Sequence, residues 1–477
     1  MTPIDENRIS AIIKQVKSEI GPKVAPTPIV GKSLRMGDGI FGDVDSAVAA
    51  AAQAQREFAA MPLDLRYDIV EAMRRAGREH ALVLAQMAHE ETGMGRVEDK
   101  VEKNLLNANK TPGPEYLTTE AWSGDHGLTI TEFAPYGVIA SITPSTNPTS
   151  SIINNSISMI SAGNSVVFNA HPGAKACSAY TIQVLNRAIQ SVGGPPNLLT
   201  ATAEPTIQSA QALMRHKGVR LLSVTGGGGV VREAMRSGKR AVCAGPGNPP
   251  AVVDETADIE QAARDIVRGA SFDNNIICVD EKTTIVVESV ADALVEAMTE
   301  YGAYLITGWQ LRRLMKSIIT EDRGPGKPAA MNHDFIGKNA SVLLREIGIK
   351  VGDEVRLVIA VVEPDHQLVW SEQMMPVMPI VPVPDVDTAI DLARASEHGF
   401  RHTASMHSKH LDHLSKMARV MDCSIFVKNG PNFSGVGHGG EGYCSFTIAS
   451  PTGEGLTTCR SFSRLRRCVL KDSFRIV

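Results

Sequence analysis

Between Tyr136 and Gly245 the chain switches repeatedly between short runs that are apolar throughout and longer runs of helix formers. GVIASI (137–142), NSVVFNA (164–170), NLLTAT (197–202), VRLLSVTG (219–226) and RAVCAG (240–245) read as strands. The stretches 146–162, 174–192, 205–218 and 230–238 between them read as helices. Strands that are apolar at every position are covered on both faces, and strands separated by helices run parallel. The pattern indicates an α/β fold with a parallel sheet covered on both faces, in which ligands bind at the carboxyl ends of the strands.

A second α/β run follows. PPAVVD leads to a helix over 258–270, where Asp258 and Gln261 resemble a capping box. Then come TTIVVESV, a helix from Ala291, VRLVIAVV (355–362), MPVMPIVPV, a helix near 386–397, HTASMHS, a further helix and SIFVKNG (424–430). Ahead of both runs, residues 44–110 are rich in helix formers with apolar residues at helical spacing. Alternation on either side of Asp125-His126-Gly127 predicts a hairpin, and the tail SRLRRCVLKDSFRIV alternates like an exposed or intersubunit strand.

The first twenty residues form a unit of their own. Ile9, Ile12, Ile13, Val16 and Ile20 make one stripe of an amphipathic helix, and GPKVAPTPIVGKS (21–33) reads as a linker. This helix either packs on the body of the protein or docks elsewhere as a detachable recognition element; the Pro-rich linker supports the second reading. With 48 Lys and Arg against 52 Asp and Glu, the chain has no excess of positive charge for binding nucleic acid. No secretory signal or span of apolar residues long enough for a membrane is visible. Seven cysteines, an odd number with no C-x-x-C pair, form neither a disulfide framework nor a zinc signature. A cytoplasmic, reducing setting is expected, where a cysteine in unusual surroundings can be chemical.

Three places could carry chemistry. Cys278 follows the polar run Asp273-Asn274-Asn275 at the end of an α/β segment; it is either a buried structural residue or a nucleophile in a cleft. TPSTNPTS (143–150) puts Asn147 at a strand's carboxyl end, as a helix cap or as an amide donor to an oxyanion. VTGGGGVVREAM (224–235) is a strand, a glycine run and a helix start, suited to an anion but lacking the G-x-G-x-x-G spacing. His398, His402, His407, His410 and His413 lack carboxylate partners in sequence and read as solvated surface rather than a metal site.

In this order the pieces resemble the aldehyde dehydrogenase superfamily from about residue 40 to the C-terminus. The oxyanion loop is TPSTNPTS, the G-N-x-V-V-x-K strand is GNSVVFN, and the phosphate-side turn is SVTGGGGVV. The nucleophile segment is NNIICVDEK, and E-x-x-x-P-V is matched by Glu372 and Pro376. The resemblance implies a Rossmann-type cofactor domain (37–243, with an arm hairpin near 116–134) and an α/β catalytic domain (244–428). It also implies a return segment with an oligomerisation strand (429–477), and assembly as a dimer or tetramer.

The resemblance assigns Cys278 and Asn147 to catalysis. It assigns Thr143, Pro144, Ser145, Asn169, His171, Pro172, Thr225, Gly226, Gly227, Val230, Gly245 and Glu372 to the NAD site, with no metal. Hydrolytic members carry a general-base glutamate where Cys243 stands here, and the usual adenosine-ribose lysine is replaced by Asn169. The departure at Cys243 resembles the CoA-acylating branch, with coenzyme A as co-substrate and a short-chain aldehyde, propanal favoured over ethanal. Members of that branch in bacterial microcompartments share the leader and linker, which implies docking of the leader to shell proteins. A hydrolytic aldehyde or semialdehyde dehydrogenase and an inactive assembly protein are the alternatives.

Overall fold

The computed structural model describes residues 36–477, so the amphipathic segment 1–20 and the linker up to residue 35 lie outside the described residues. A six-stranded parallel sheet has the order Ile40–Phe41, Leu199–Thr202, Ser165–Asn169, Val138–Ile142, Leu221–Thr225, Ala241–Ala244. Five of these strands are the apolar runs read from the sequence; the edge strand Ile40–Phe41 is too short to carry a pattern. Successive side chains leave opposite faces of a strand. Ile139, Val166, Phe168 and Leu221 therefore join one buried cluster, with helices Leu63–Glu79, Pro148–Ser161 and Lys175–Ser191. Val138, Ala140, Val167, Leu222 and Val224 join the other, with Val44–Ala59, Ile207–Arg215 and Gly228–Met235.

From Val138–Ile142 the chain winds outward through Ser165–Asn169 and Leu199–Thr202, then crosses back to Leu221–Thr225. That reversal opens a crevice between the carboxyl ends of Val138–Ile142 and Leu221–Thr225. The TPSTN and TGGGG loops leave from those two ends.

The second sheet has seven parallel strands, in the order Ala303–Leu305, Leu357–Val361, Val377–Val383, Thr283–Val287, Pro250–Val253, Thr403–His407, Ile425–Lys428. Strand Ala303–Leu305 and helices Gly308–Ile318 and Ala340–Glu346 were not read from the sequence. Asp258 caps helix Ile259–Ser271 by accepting the Gln261 N–H at 3.2 Å. The reciprocal half of the expected capping box is missing, because Gln261 Nε2 donates to the Asn429 carbonyl at 2.9 Å instead.

Strands Glu120–Gly124 and Gly127–Pro135 form the expected hairpin, and Ser463–Lys471 pairs antiparallel with Gly127–Pro135. From Arg464 onward that last strand is exposed. Between it and the second sheet, the chain returns to the first: Thr452 Oγ1 accepts the Cys243 N–H at 3.0 Å. Helix Pro148–Ser161 is buried on every side in spite of its serines and asparagines. Its Asn154 and Asn155 accept from the Phe446 N–H (3.2 Å) and the Thr447 hydroxyl (2.8 Å), which fixes the segment that closes over the crevice.

Candidate active site

The crevice widens into a cleft of about 570 Å³. Every site residue selected from the sequence lines it. Thr143, Pro144, Ser145 and Asn147 come from the first loop, and Asn169, His171 and Pro172 from the neighbouring strand end. Thr225, Gly226, Gly227 and Val230 form the glycine turn, with Gly245, Cys278 and Glu372 on the remaining walls.

The Cys278 segment is built from an unusual turn. Asp273, Asn274 and Asn275 have φ of 45°, 56° and 67°, three consecutive left-handed residues. Asn and Asp tolerate this conformation best after glycine, because their short polar side chains bond locally. Here they also bond at long range. Asp273 accepts the Arg96 N–H at 2.7 Å and the Lys100 ammonium at 3.0 Å, while its own N–H donates to Asp99 at 2.8 Å. Asn274 Oδ1 accepts from Arg96 Nε at 3.0 Å. Asn275 Nδ2 donates to the carbonyls of Ala270 (2.8 Å) and Glu281 (2.9 Å), and the buried Lys282 ammonium donates to Asn275 Oδ1 at 2.7 Å.

Beyond this turn Cys278 is only partly buried and opens on the cleft. Burial and the Glu372 carboxylate push its thiol up to about 12, against the pull of Lys282. Asp280 and Glu281 are raised to about 8 by burial. Glu372 is itself raised by burial and accepts the Gly247 N–H at 3.4 Å.

Asn147 occupies the N-cap position of helix Pro148–Ser161, yet its side chain makes no capping bond. Its Oδ1 accepts from Lys103 at 2.6 Å, and Nδ2 donates to Thr146 Oγ1 at 3.2 Å. The cap reading of this residue is therefore not met.

The glycine turn suits a dinucleotide. Gly227 caps helix Gly228–Met235 with no side-chain bond, so the first backbone N–H groups are left for an anion. A Cβ at Gly227 or Gly229 would meet only open space, whereas one at Gly226 would press on Val230 Cγ1 at 2.8 Å. That bare backbone leaves room for close approach of an anion, and the Glu372 carboxylate lines the same cleft. Asn169, in the lysine's place, is held by the Ser209 hydroxyl at 2.6 Å; His171 Nδ1 accepts the Gly173 N–H at 3.1 Å, and burial lowers its pKa.

Position 243 is placed by the structure, and one expectation needs correction. Cys243 does not reach the cleft: its side chain is fully buried beside Val224 and Val231, and burial pushes the thiol up to about 11. The strand's alternation turns position 243 into the core and leaves Gly245 and Pro246 at the cleft wall. The histidines are not all surface either. His398 and His410 are exposed, but His402 and His407 are buried, and burial lowers each to about 4. His413 does have a carboxylate partner, Asp254, at 2.7 Å. His402 is the residue the sequence reading missed. A Cβ at Gly247 would meet the Cys278 carbonyl oxygen at 2.7 Å and the His402 ring at 3.1 Å, so glycine is needed between that carbonyl and the imidazole.

A cysteine and an amide donor facing a dinucleotide cradle at the switch point of a doubly wound sheet are the working parts of aldehyde dehydrogenases. Residues 34–449 match the aldehyde dehydrogenase family, and the chain belongs to it. It is 47% identical over 477 residues to the acetaldehyde dehydrogenase (acetylating) of Salmonella typhimurium, covering 99% of this chain and 100% of that one. The crystal structure of Rhodopseudomonas palustris propionaldehyde dehydrogenase with bound propionyl-CoA is 46% identical, with a TM-score of 0.89 over 91% of this chain and 96% of that one. A propionaldehyde dehydrogenase from the fucose utilisation microcompartment of Clostridium phytofermentans is 45% identical, with a TM-score of 0.89 over 92% of this chain and 100% of that one.

Proposed function

We propose that the chain is a CoA-acylating aldehyde dehydrogenase that oxidises a short-chain aldehyde, propanal favoured, with NAD+ and CoA to acyl-CoA and NADH. The observation that carries this reading is the meeting of Cys278 and Asn147 in one cleft, in a chain similar over its whole length to an acetylating relative. Cys278 Sγ attacks the aldehyde carbonyl, its proton leaves, and the new oxyanion lies between Asn147 Nδ2–H and the Cys278 backbone N–H. Held by the Gly226–Gly227 turn and Glu372, a nicotinamide coenzyme would supply the hydride acceptor, and loss of hydride would leave a thioester on Cys278. The CoA thiol then attacks the thioester carbonyl, loses its proton and releases Cys278.

Hydrolysis would need a carboxylate to activate water. Position 243, which carries it in hydrolytic relatives, holds a thiol turned into the core. Glu372 is reserved for the coenzyme ribose.

The wider reading has four parts. Residues 37–243 form the cofactor domain with its arm, 244–428 the catalytic domain, and 429–477 the return and oligomerisation strand. Copies of the chain associate through the exposed strand Ser463–Lys471. Residues 1–20 dock to shell proteins, and the enzyme works inside a bacterial microcompartment. Among the described residues no helix is long and apolar enough to cross a membrane.

The test is NADH formation from propanal with and without CoA. Strict CoA dependence is expected. CoA-independent turnover would favour the hydrolytic reading, and no turnover an inactive assembly protein.

A further inference from the structure

Helix Val97–Lys110 contributes nothing to the lining of the cleft, yet it drives a lysine into the protein beneath it. Lys103 is 2% exposed. Its ammonium donates to Asn147 Oδ1 at 2.6 Å and to Asp273 Oδ2 in a second, shorter contact. One side chain thus bridges Asn147 and the left-handed turn Asp273–Asn275 ahead of Cys278.

Charge balance alone does not account for it. Asp273 already has a cation in Lys100, 3.0 Å away, and a buried ammonium is costly unless its contacts repay desolvation. Burial lowers Lys103 to about 8, with Asp273 opposing the fall, so it keeps its proton at neutral pH. What Lys103 adds beyond Lys100 is the bond to Asn147.

That bond has a directional consequence. An ammonium offers only donors, so the Asn147 amide must turn its oxygen toward Lys103 and its NH2 the other way. A cation on the carbonyl side also draws charge from the amide and strengthens its N–H groups as donors.

We propose that Lys103 is a positioning residue for the reaction, orienting the Asn147 amide and clamping it to the turn ahead of Cys278. The inference rests on the role assigned to Asn147 above, and the test separates the two. Full-length Lys103→Met, Asn147→Ala and the double variant are compared by the rate of the NADH burst and by KM for NAD+. Asn147→Ala is expected to slow the burst by ~10²–10³-fold, the usual loss for one oxyanion donor. Lys103→Met is expected to slow it by roughly tenfold or more with KM for NAD+ unchanged, a misplacement effect. The double variant should be no slower than Asn147→Ala, because the lysine acts through the asparagine.

A wild-type burst in Lys103→Met, or losses that multiply in the double variant, overturns the proposal while leaving the Asn147 role standing. A wild-type burst in Asn147→Ala removes the Asn147 role, and the proposal with it. A purely structural lysine would slow both Asn147 backgrounds alike, so the cycle separates that case too. If Lys103→Met does not fold, Lys103→Gln, which keeps a donor without the charge, is judged in the same cycle by the same non-additivity.

Discussion

At Cys278 opposing influences meet on one sulfur: burial and Glu372 disfavour the thiolate, and Lys282 favours it. With the thiol at about 12, the reactive fraction is small at pH 7 and grows with pH toward that value. Inactivation of the coenzyme-free enzyme by iodoacetamide should therefore accelerate from pH 7 to pH 9, by less than tenfold per unit because Asp280, raised to about 8, ionises beside the thiol over the same range. A flat profile over that range would mean that another group holds the thiolate. Cys278, Asn147 and Glu372 were legible in the sequence because each stands in a motif whose order along the chain is preserved. Lys103 and His402 were not. Each acts on a partner well over thirty residues away, and neither neighbourhood in sequence carries a mark of that contact.

The turn Asp273–Asn275 shows the same division at the scale of an element. A polar run at the end of an α/β segment suggested a cleft, but not three left-handed residues in succession or the cations that hold them. Arg96 and Lys100, which bind this turn, belong to a helix more than 170 residues earlier. Asn275 separates backbone from side-chain effects. Asn275→Ala forfeits two bonds from Nδ2 and the Lys282 contact while placing a Cβ residue at φ 67°. It should cost about 2–4 kcal/mol in denaturant unfolding. Asn275→Gly loses the same bonds without the strain and should recover about 1 kcal/mol of that. Equal losses in the two variants would show that the left-handed backbone carries no strain.

Across the whole molecule, packing decides which way a strand residue faces. In Cys243→Glu a carboxylate would enter the cluster around Val224 and Val231, where an unpaired charge costs several kcal/mol. The expected outcome is a lower melting temperature and no NADH formation without CoA. A stable variant that turns over in CoA-free buffer would show that position 243 reaches the thioester after all. Deletion of residues 1–20 should leave the kinetics unchanged and abolish co-purification with shell proteins. A truncated chain that loses activity would place that segment in the catalytic body instead.

By itself the sequence determined two parallel α/β sheets short of their edge strands Ile40–Phe41 and Ala303–Leu305, and it singled out Cys278 and Asn147, which line one cleft. Apolar strands alternating with helices and the order of motifs are local properties, and a parallel sheet follows from them with little freedom. Tertiary structure alone decided that Cys243 turns inward, that His402 packs behind Gly247, and that Lys103 ties Asn147 to the turn before Cys278. These depend on where distant segments cross. A buried ammonium or imidazole is tolerated only where a partner from elsewhere in the chain meets it, and no local pattern records that meeting.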